Sequence, residues 1–294
     1  MLSILIPTYN YNVYNLVLEL HRQCVELNIV YEIIVIDDGS NSKVNEENNH
    51  INLLDNCTFT FLQKNIGLSS NRNLLASKAN NNYLLFIDGD SIIINPHYIK
   101  NYIIAIGHND VIYGGRVHPQ TVLYSKQKLR WKYGKIVEDK TALQRNSASY
   151  KTLMFNNTLI RKACFNGIKF DSNLTKYGHE DTLFAYQISL LNLKVNHIEN
   201  PIEHGDIDES AVFISKIKNG LDNLISIDQS NKINPSFVKI LNLYHFLKKY
   251  NLSFVLALFY KIFNKIIHTQ LTSKNPSLFL FHLYRIGYIC SLKR

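Results

Sequence analysis

Cysteine, proline and glycine are scarce in this chain of 294 residues, and their scarcity excludes several classes of protein. The four cysteines are far apart, and none stands in a Cys-x-x-Cys or Cys-His spacing, so neither a disulfide framework nor a zinc site is indicated. Six prolines, 12 glycines and 12% aromatic residues are not the composition of a disordered chain. The expected compartment is therefore the reducing cytoplasm.

Long hydrophobic runs are also missing. The N-terminal MLSILIPTYN has no basic segment before its short apolar run, so we expect a first strand and not a signal peptide. In the helical segment 253–271 the unbroken apolar run is Phe254–Tyr260, far short of the roughly 20 residues that a membrane span needs. An interfacial or a core helix is expected there.

Acidic residues are absent after Asp228, whereas ten Lys and Arg follow it. Residues 1–228 hold 22 basic and 23 acidic residues, so the net charge of +9 belongs to the tail. Nucleic-acid binding by the body, which would need a basic face, is not indicated. The tail, which is also rich in aromatic residues, favours contact with an anionic surface such as the inner face of the cell membrane. The alternative is a helical appendage that packs on the body or on a second copy of the chain.

Strands and helices alternate over the first 90 residues. Apolar runs predict strands at 2–9, 31–40, 58–63 and 83–90, and helical spacing of apolar residues predicts helices at 14–28 and 69–80. This order predicts an α/β fold with a largely parallel sheet. Ligands of such sheets lie outside the carboxyl ends of the strands, where polar residues collect in this sequence.

The chain changes character near residue 210. A clear amphipathic helix is predicted at 180–193, and beyond residue 210 the pattern is helical. We therefore expect one α/β domain at 1–210 and a basic, aromatic-rich helical region at 211–294.

Two aspartates, Asp88 and Asp90, close the strand YLLFI with only Gly89 between them. Residues two apart point to the same side of an extended chain. Two carboxylates at the end of a strand suit Mg2+ or Mn2+, which prefer oxygen ligands. The alternative is a polar strand end followed by a turn.

Three further sites have both a chemical and a structural interpretation. Asp37-Asp38 could accept hydrogen bonds from a ribose hydroxyl or a base N–H, or it could form a turn. Glu180-Asp181 could hold a general base at a helix start, or it could only favour the helix dipole. His204 is either a metal ligand or an ordinary surface or core histidine.

In their order along the chain, five segments resemble the family 2 glycosyltransferases, inverting enzymes of the GT-A fold, of the bacterial surface-polysaccharide type. These segments are LSILIPTYN, EIIVIDDGS, NIGLSSNRNLLASKA, YLLFIDGDS and YGHEDTLFAYQI. The resemblance covers roughly residues 1–205 and implies a Rossmann-like, mostly parallel mixed sheet flanked by helices. Ser91 stands where many relatives carry a further aspartate, and the C-terminal 85 residues match no motif of the family.

The resemblance implies transfer of a hexosyl or N-acetylhexosaminyl group from a nucleoside diphosphate, with UDP the usual one, to a hydroxyl of a glycan or lipid-linked glycan. It implies that Asp181 is the catalytic base, with Glu180 orienting it or the acceptor, and that Asp90 and His204 bind Mn2+ or Mg2+. The implied nucleotide-sugar contacts are Pro7, Thr8, Tyr9, Asp38, Asn65, Arg72, Asp88 and Gly89. Among them, Asp38 is expected at the base or ribose, Arg72 near the base and diphosphate, and Asp88 at the ribose. The acceptor-facing candidates are Gly115, Arg116, Trp131 and His179.

The sequence argues against three rival functions. A sugar-phosphate nucleotidyltransferase would need an early glycine-rich loop with Arg or Lys, which IPTYNYN does not supply. A dinucleotide oxidoreductase would need a GxGxxG after the first strand, and none is present there. A non-catalytic sugar-nucleotide-binding or scaffold protein would not need to keep Asp90, Glu180 and Asp181.

Overall fold

A computed structural model of the chain describes residues 1–174 and 176–292. The chain forms two compact units. The first unit comprises Met1–His118, Asp139–Thr175 and Glu180–Asp206, and the second comprises Pro119–Glu138, Lys176–His179 and Ile207–Arg294. The domain predicted for 1–210 included the segments 119–138 and 176–179, which here group with the C-terminal helices.

A seven-stranded sheet forms the centre of the first unit. Its strands are β1 (Leu2–Thr8), β2 (Tyr31–Asp37), β3 (Cys57–Phe61), β4 (Tyr83–Ile87), β6 (Val111–Tyr113), β8 (Asn157–Arg161) and β9 (Val195–His197). They lie in the order β3-β2-β1-β4-β8-β6-β9. Within this sheet β8 alone is antiparallel to its neighbours. The predicted α/β fold with a mostly parallel mixed sheet is therefore confirmed.

The strands with continuous apolar runs form the buried, parallel part of this sheet. All seven residues of β1 are buried, because β1 lies between β2 and β4 and helices cover the sheet. The helices of the unit are α1 (Tyr14–Glu26), α2 (Val44–Asn48), α3 (Leu68–Lys78), α4 (Tyr98–Ala105), α6 (Ala142–Asn146), α7 (Lys162–Ile168) and α8 (Glu180–Leu190). The strand predicted at 31–40 ends at Asp37, because Asp38-Gly39-Ser40 leaves the extended conformation.

A second sheet of three short strands lies in the same unit, in the order β5 (Ser91–Ile93), β10 (Ile202–His204), β7 (Arg116–Val117). β10 is antiparallel to β5, with His204 opposite Ser91. It is parallel to β7, with Ile202 opposite Arg116. This small sheet joins three segments that are far apart in the sequence at the carboxyl end of β4.

The second unit is helical. Its helices are α5 (Lys128–Tyr133), α9 (Ser210–Gln229), α10 (Lys239–Lys249), α11 (Ser253–Leu271) and α12 (Leu278–Ser291). Leu129, Phe213, Ile267 and Phe281 belong to its buried core. None of the described helices is by itself long and apolar enough to cross a membrane. By length and composition alone, α10 and α11 reach that threshold together, as a pair bent by 112°.

Candidate active site

The segment Asp88-Gly89-Asp90 forms a turn at the end of β4, in which the Ser91 N–H donates to the Asp88 carbonyl at 3.2 Å. The expectation that the two carboxylates point to the same side of an extended chain is therefore wrong, and each joins a different network. Gly89 fits closely here, since a Cβ would lie 3.0 Å from Val13 Cγ1 and 3.1 Å from Thr8 Oγ1. The turn thus packs directly against the end of β1.

Arg72 on α3 connects the predicted donor and base positions. Its side chain is almost fully buried, with Nη2 donating to Asp88 Oδ1 at 2.9 Å and Nη1 donating to Asp181 Oδ1 at 2.6 Å. Glu180 Oε1 lies 3.9 Å from Nη1, and the guanidinium carbon lies 5.2 Å from the centre of the Phe170 ring. Arg72 lies 16 positions from Asp88 and 109 positions from Asp181, so one buried cation joins parts of the site that are far apart in the sequence.

The pKa of Arg72 reflects two opposing effects. Burial lowers it, but the carboxylates of Asp181, Asp88 and Glu180 outweigh burial and raise the pKa above its ordinary value. Arg72 consequently stays charged at every accessible pH. One positive charge among three carboxylates leaves this part of the site with an excess of negative charge, which suits a cationic partner.

Asp181 is fixed by a second contact as well. Its Oδ2 accepts a hydrogen bond from the Phe155 backbone N–H at 2.9 Å, so each carboxylate oxygen has one protein donor. The side chain is still 23% exposed. A carboxylate offers about four acceptor positions, so Asp181 keeps acceptor capacity toward a bound molecule.

Aromatic packing holds the N-terminal part of α8 in place. Five phenylalanines from β4, α7, α8 and the intervening loops pack together, with ring centroids 4.5–6.4 Å apart. They are Phe86, Phe155, Phe165, Phe170 and Phe184. Burial of such rings is the largest apolar contribution that single side chains make. The cluster therefore anchors the first turn of α8, and with it Glu180 and Asp181, against the sheet.

The second carboxylate of the turn, Asp90, faces His204. His204 Nε2 lies 3.3 Å from Asp90 Oδ2, and the Gly205 N–H donates to the Asp90 carbonyl at 2.7 Å. The register of the small sheet causes this contact, because it places His204 opposite Ser91. Among the residues that the structure describes, no group of three His, Cys, Asp or Glu side chains is arranged for a metal ion. One carboxylate and one imidazole still form a donor pair that suits Mn2+ when phosphate oxygens supply further ligands.

Asp37 and Asp38 have different surroundings at the end of β2. Asp37 is fully buried and accepts hydrogen bonds from the Asn10 N–H, from the Ser40 N–H and hydroxyl, and from the Asn45 amide, so it builds the turn. Asp38 accepts from the Ile66 and Gly67 N–H groups at 2.8 and 3.0 Å. Burial raises the pKa of Asp38 in spite of these two hydrogen bonds.

Asp38 therefore anchors the loop NIG, which contains the predicted contact Asn65. Gly39 permits the approach of this loop: its φ is +70°, and a Cβ would lie 2.4 Å from the Lys64 carbonyl carbon. Thr8 is buried and its carbonyl accepts from the Asp38 N–H at 2.9 Å, whereas Tyr9 is exposed. Pro7 and Thr8 are the last two residues of β1, so these predicted nucleotide contacts lie at the carboxyl ends of β1 and β2.

The four acceptor-facing candidates divide between the two units. Gly115 (φ +95°) and Arg116 lie in the first unit, where a Cβ on Gly115 would clash with the Arg145 guanidinium. Trp131 and His179 lie in the second. The Trp131 Nε1–H donates to the Pro119 carbonyl at 2.8 Å, and the ring lines a pocket of about 260 Å3 with Lys128, Lys132, Lys135 and Lys274. Burial, and secondarily Arg285, lowers the pKa of His179 to about 4.

Two features of the site were not predicted from the sequence. His118 stacks on His204 and binds Asp139, and no motif in VHPQ or EDK indicates this. Asn156 accepts from the Asp88 N–H through its carbonyl and follows Phe155, the donor to Asp181. The Asn156 side chain is buried, and no described residue supplies its amide with a hydrogen-bond partner. Neither the His118 contacts nor the position of Asn156 has a sequence motif, so only the three-dimensional contacts reveal them.

A mostly parallel sheet with carboxylates gathered at the carboxyl ends of its strands defines an α/β protein of the GT-A type. Residues 3–173 match the model of Glycosyl transferase family 2, and the chain belongs to this family. The resemblance noted in the sequence is thereby confirmed, and the protein is a glycosyltransferase.

Individual relatives are more distant. The chain is 27% identical over 252 residues to a chondroitin synthase of Escherichia coli, covering 71% of this chain and 36% of that protein. It thus spans about a third of the length of this curated relative. Residues 1–349 of S. aureus TarS in complex with UDP share the fold, with a TM-score of 0.51, 24% identity, and coverage of 75% of this chain and 64% of that one.

A second solved structure has a similar fold. It is the mannosyltransferase PcManGT from Pyrobaculum calidifontis in complex with GDP-Man and Mn2+. The TM-score is 0.52 at 14% identity, and the alignment covers 82% of this chain and 68% of that one. At such identities the similarity shows the fold alone.

Proposed function

We propose that this glycosyltransferase moves a hexosyl or N-acetylhexosaminyl group from a UDP-sugar to a hydroxyl of a glycan or lipid-linked glycan, with inversion at the anomeric carbon. The observation that carries the proposal is the Arg72 network, in which one buried guanidinium binds both Asp88 and Asp181. It keeps a candidate base at a fixed position beside the turn where the donor would bind. The UDP complex of TarS and the GDP-Man complex of PcManGT support a nucleotide-sugar donor.

Asp181 is the proposed general base. As the acceptor oxygen forms its bond to the anomeric carbon, the bond from that carbon to the diphosphate breaks, and UDP leaves with the bonding electrons. The acceptor hydroxyl proton passes to the carboxylate of Asp181, whose position Arg72 and the Phe155 N–H fix. A base held in this way contributes typically about 10²–10⁴ in rate. Glu180 is proposed to orient the acceptor or the base.

Asp90 and His204 are proposed to hold Mn2+ or Mg2+. The ion would neutralise charge that develops on the leaving diphosphate. The donor pair of this chain is suited to such an ion, and the Mn2+ complex of the PcManGT neighbour is consistent with it.

The acceptor and the location are further parts of the proposal. The match to a chondroitin synthase supports a glycan product. The proposed location is the cytoplasm, at the inner face of the cell membrane. All four cysteines are free thiols, which is consistent with a reducing compartment.

Metal-dependent binding of UDP is the most direct test of the proposed function. We expect UDP to bind in calorimetry with Mn2+ and much more weakly after the metal is removed by EDTA. Asp90→Ala should weaken the Mn2+-dependent affinity at least tenfold, since it removes one of two protein ligands. Asp55→Ala, at an exposed carboxylate outside the site, is the matched control and should bind as the wild type does. Equal UDP affinity with Mn2+ and with EDTA would overturn the metal assignment.

A further inference from the structure

Helix α11 is apolar on two opposite faces. One face is buried, where Ile267 and Leu271 belong to the same core as Phe281 and Tyr284 of α12. The other face is open, although five large apolar side chains repeat along it at helical spacing and are 48–67% exposed. These residues, which we call the outer face of α11, are Phe254, Val255, Leu258, Ile262 and Ile266.

The charge of the chain is divided between its two units. The second unit contains 18 Lys and Arg and five Asp and Glu, a balance of +13, whereas the first contains 14 and 18, a balance of −4. Lys261 and Lys265 are exposed and flank the outer face of α11. Leu243 and Phe246 on α10 and Tyr250 at its C-terminal end are also exposed, at a spacing of three and four residues. Open apolar surface of this extent is unusual for a soluble monomer and marks a contact surface.

We propose that the outer face of α11 binds the surface of an anionic lipid bilayer. Its apolar side chains would enter the boundary between headgroups and acyl chains, and Lys261 and Lys265 would remain at the lipid phosphates. The charge of +13 favours an anionic bilayer as the partner of this face. A second copy of the same unit is disfavoured, because the two basic units would repel each other. A surface position also suits the two lysines within α11, because a span would place them in hydrocarbon.

Vesicle co-sedimentation tests this proposal on the full-length chain. We expect binding to vesicles of phosphatidylcholine with phosphatidylglycerol and little binding to phosphatidylcholine alone, with release at high salt. Leu258→Gln/Ile262→Gln should lower the partition coefficient at least tenfold, because two apolar side chains no longer leave water. Lys261→Gln/Lys265→Gln should lower it about 25-fold, since each lysine near an anionic surface is worth about 1 kcal/mol.

The matched controls are equally exposed residues of the first unit. Ile104→Gln, at an isoleucine of α4 that is 72% exposed, and Lys78→Gln/Lys100→Gln should bind vesicles as the wild type does. Equal binding to both vesicle types, or loss of binding in the controls, would overturn the proposal. A dimer in light scattering that Leu258→Gln/Ile262→Gln converts to a monomer would identify a second copy as the occupant and would also overturn it.

A different observation concerns the surroundings of His204. The His118 ring is fully buried and stacks on the His204 ring, with centroids 5.4 Å apart and planes at 25°. Asp139 accepts two hydrogen bonds from His118. The His118 Nδ1–H donates to Asp139 Oδ1 at 2.6 Å, and the His118 backbone N–H donates to Asp139 Oδ2 at 3.2 Å. Since an ionised carboxylate only accepts, the proton of this hydrogen bond lies on Nδ1.

We infer that the Asp139–His118 pair positions His204 for its role beside Asp90. The stacked ring fixes the plane of the His204 imidazole, and the carboxylate fixes the plane of His118 in turn. This inference rests on the proposed metal site. Partners that hydrogen-bond a metal ligand directly typically contribute 10–100-fold to metal affinity, and this is the upper bound for a pair that acts through a stacked ring.

The test compares two Asp–His pairs in the same protein. Asp139→Ala should weaken Mn2+ binding in the presence of UDP, measured by the Mn2+ electron paramagnetic resonance signal, by up to the 10–100-fold that a direct partner of a ligand contributes. Asp139→Asn, which keeps one acceptor oxygen, should recover part of that loss. The control is Asp228→Ala, which breaks the contact of Asp228 with His245 at 2.9 Å in the second unit and should leave Mn2+ binding unchanged.

The same measurement distinguishes failure of the proposed metal site from failure of the positioning role. If wild-type protein binds no Mn2+ with UDP, the metal part of the proposed function is wrong. If the wild type binds Mn2+ and Asp139→Ala binds it equally well, the positioning role alone is wrong.

Discussion

Replacing Asp181 by asparagine is expected to lower kcat by about 10²–10⁴, the usual contribution of a general base, and to leave the Kd for UDP unchanged. The side chain keeps its size, so the donor site keeps its shape. Asparagine cannot serve both of its neighbours, however, because Arg72 Nη1 and the Phe155 N–H are donors to opposite oxygens. One donor would face an NH2 group, at a cost of about 1–3 kcal/mol in the free energy of unfolding. Kinetics should therefore be measured well below the melting temperature, with UDP affinity measured by calorimetry on the same samples.

Glu180→Gln is the control for this substitution, since Glu180 occupies the same helical turn and lies 3.9 Å from the same guanidinium. We expect a smaller loss of kcat than in Asp181→Asn. A larger loss in Glu180→Gln would exchange the two roles. A kcat within tenfold of the wild type in Asp181→Asn would remove Asp181 from the chemistry altogether.

The fold was largely predictable because its elements follow local patterns. Runs such as YEIIVID are apolar on both faces, which only a strand covered on both sides tolerates, and the structure places them in the parallel part of the sheet. The predicted helix start at Glu180 was likewise correct. The predicted strand ends were too late where polar turn residues follow an apolar run, as after Asp37.

The contacts within the candidate site could not be predicted in the same way. The Asp-Gly-Asp spacing suggested that Asp88 and Asp90 share one side of a strand, but a turn directs Asp88 to Arg72 and Asp90 to His204. Separate roles for the two aspartates, with Asp90 beside His204, were implied only by the family resemblance. The contact of His204 follows from the pairing of β10 with β5, a register set by tertiary packing over more than 100 residues. The buried pair of His118 and Asp139 depends on the same sheet and has no local signature.

Arg72→Met is expected to be the most destabilising single substitution in the site. It removes the cation from a group of three carboxylates and leaves buried charge without compensation, which typically costs about 3–5 kcal/mol. Activity should be lost as well, because Asp181 loses the donor that fixes one of its oxygens. Arg72→Lys keeps the charge but not the planar fork, so a single ammonium cannot reproduce both Nη contacts. We expect it to recover part of the stability and little of the activity.

The pH dependence of the free energy of unfolding of Arg72→Met separates the loss of this cation from a simple loss of packing. Without Arg72, the negative charges of Asp88, Glu180 and Asp181 repel one another with no cation among them, and this repulsion exists only while the carboxylates are ionised. The free energy of unfolding of Arg72→Met should therefore fall as the pH rises to neutrality. It should recover as the pH falls toward about 4, where free carboxyl groups protonate. Urea unfolding at several pH values measures this.

Arg145→Met is the matched comparison for that measurement. Arg145 is equally buried, but its Nη2 donates to the carbonyl oxygens of Gly114 and Ile198 at 3.1 and 2.7 Å, and to no carboxylate of the described residues. Its loss leaves unpaired carbonyls, which do not titrate, and it removes only the smallest of the three effects on the pKa of His197. The destabilisation should therefore vary much less with pH than that of Arg72→Met. Parallel pH profiles for the two variants would mean that the three carboxylates do not depend on Arg72 for their charge balance. The site would then need another account of how Asp181 stays in position.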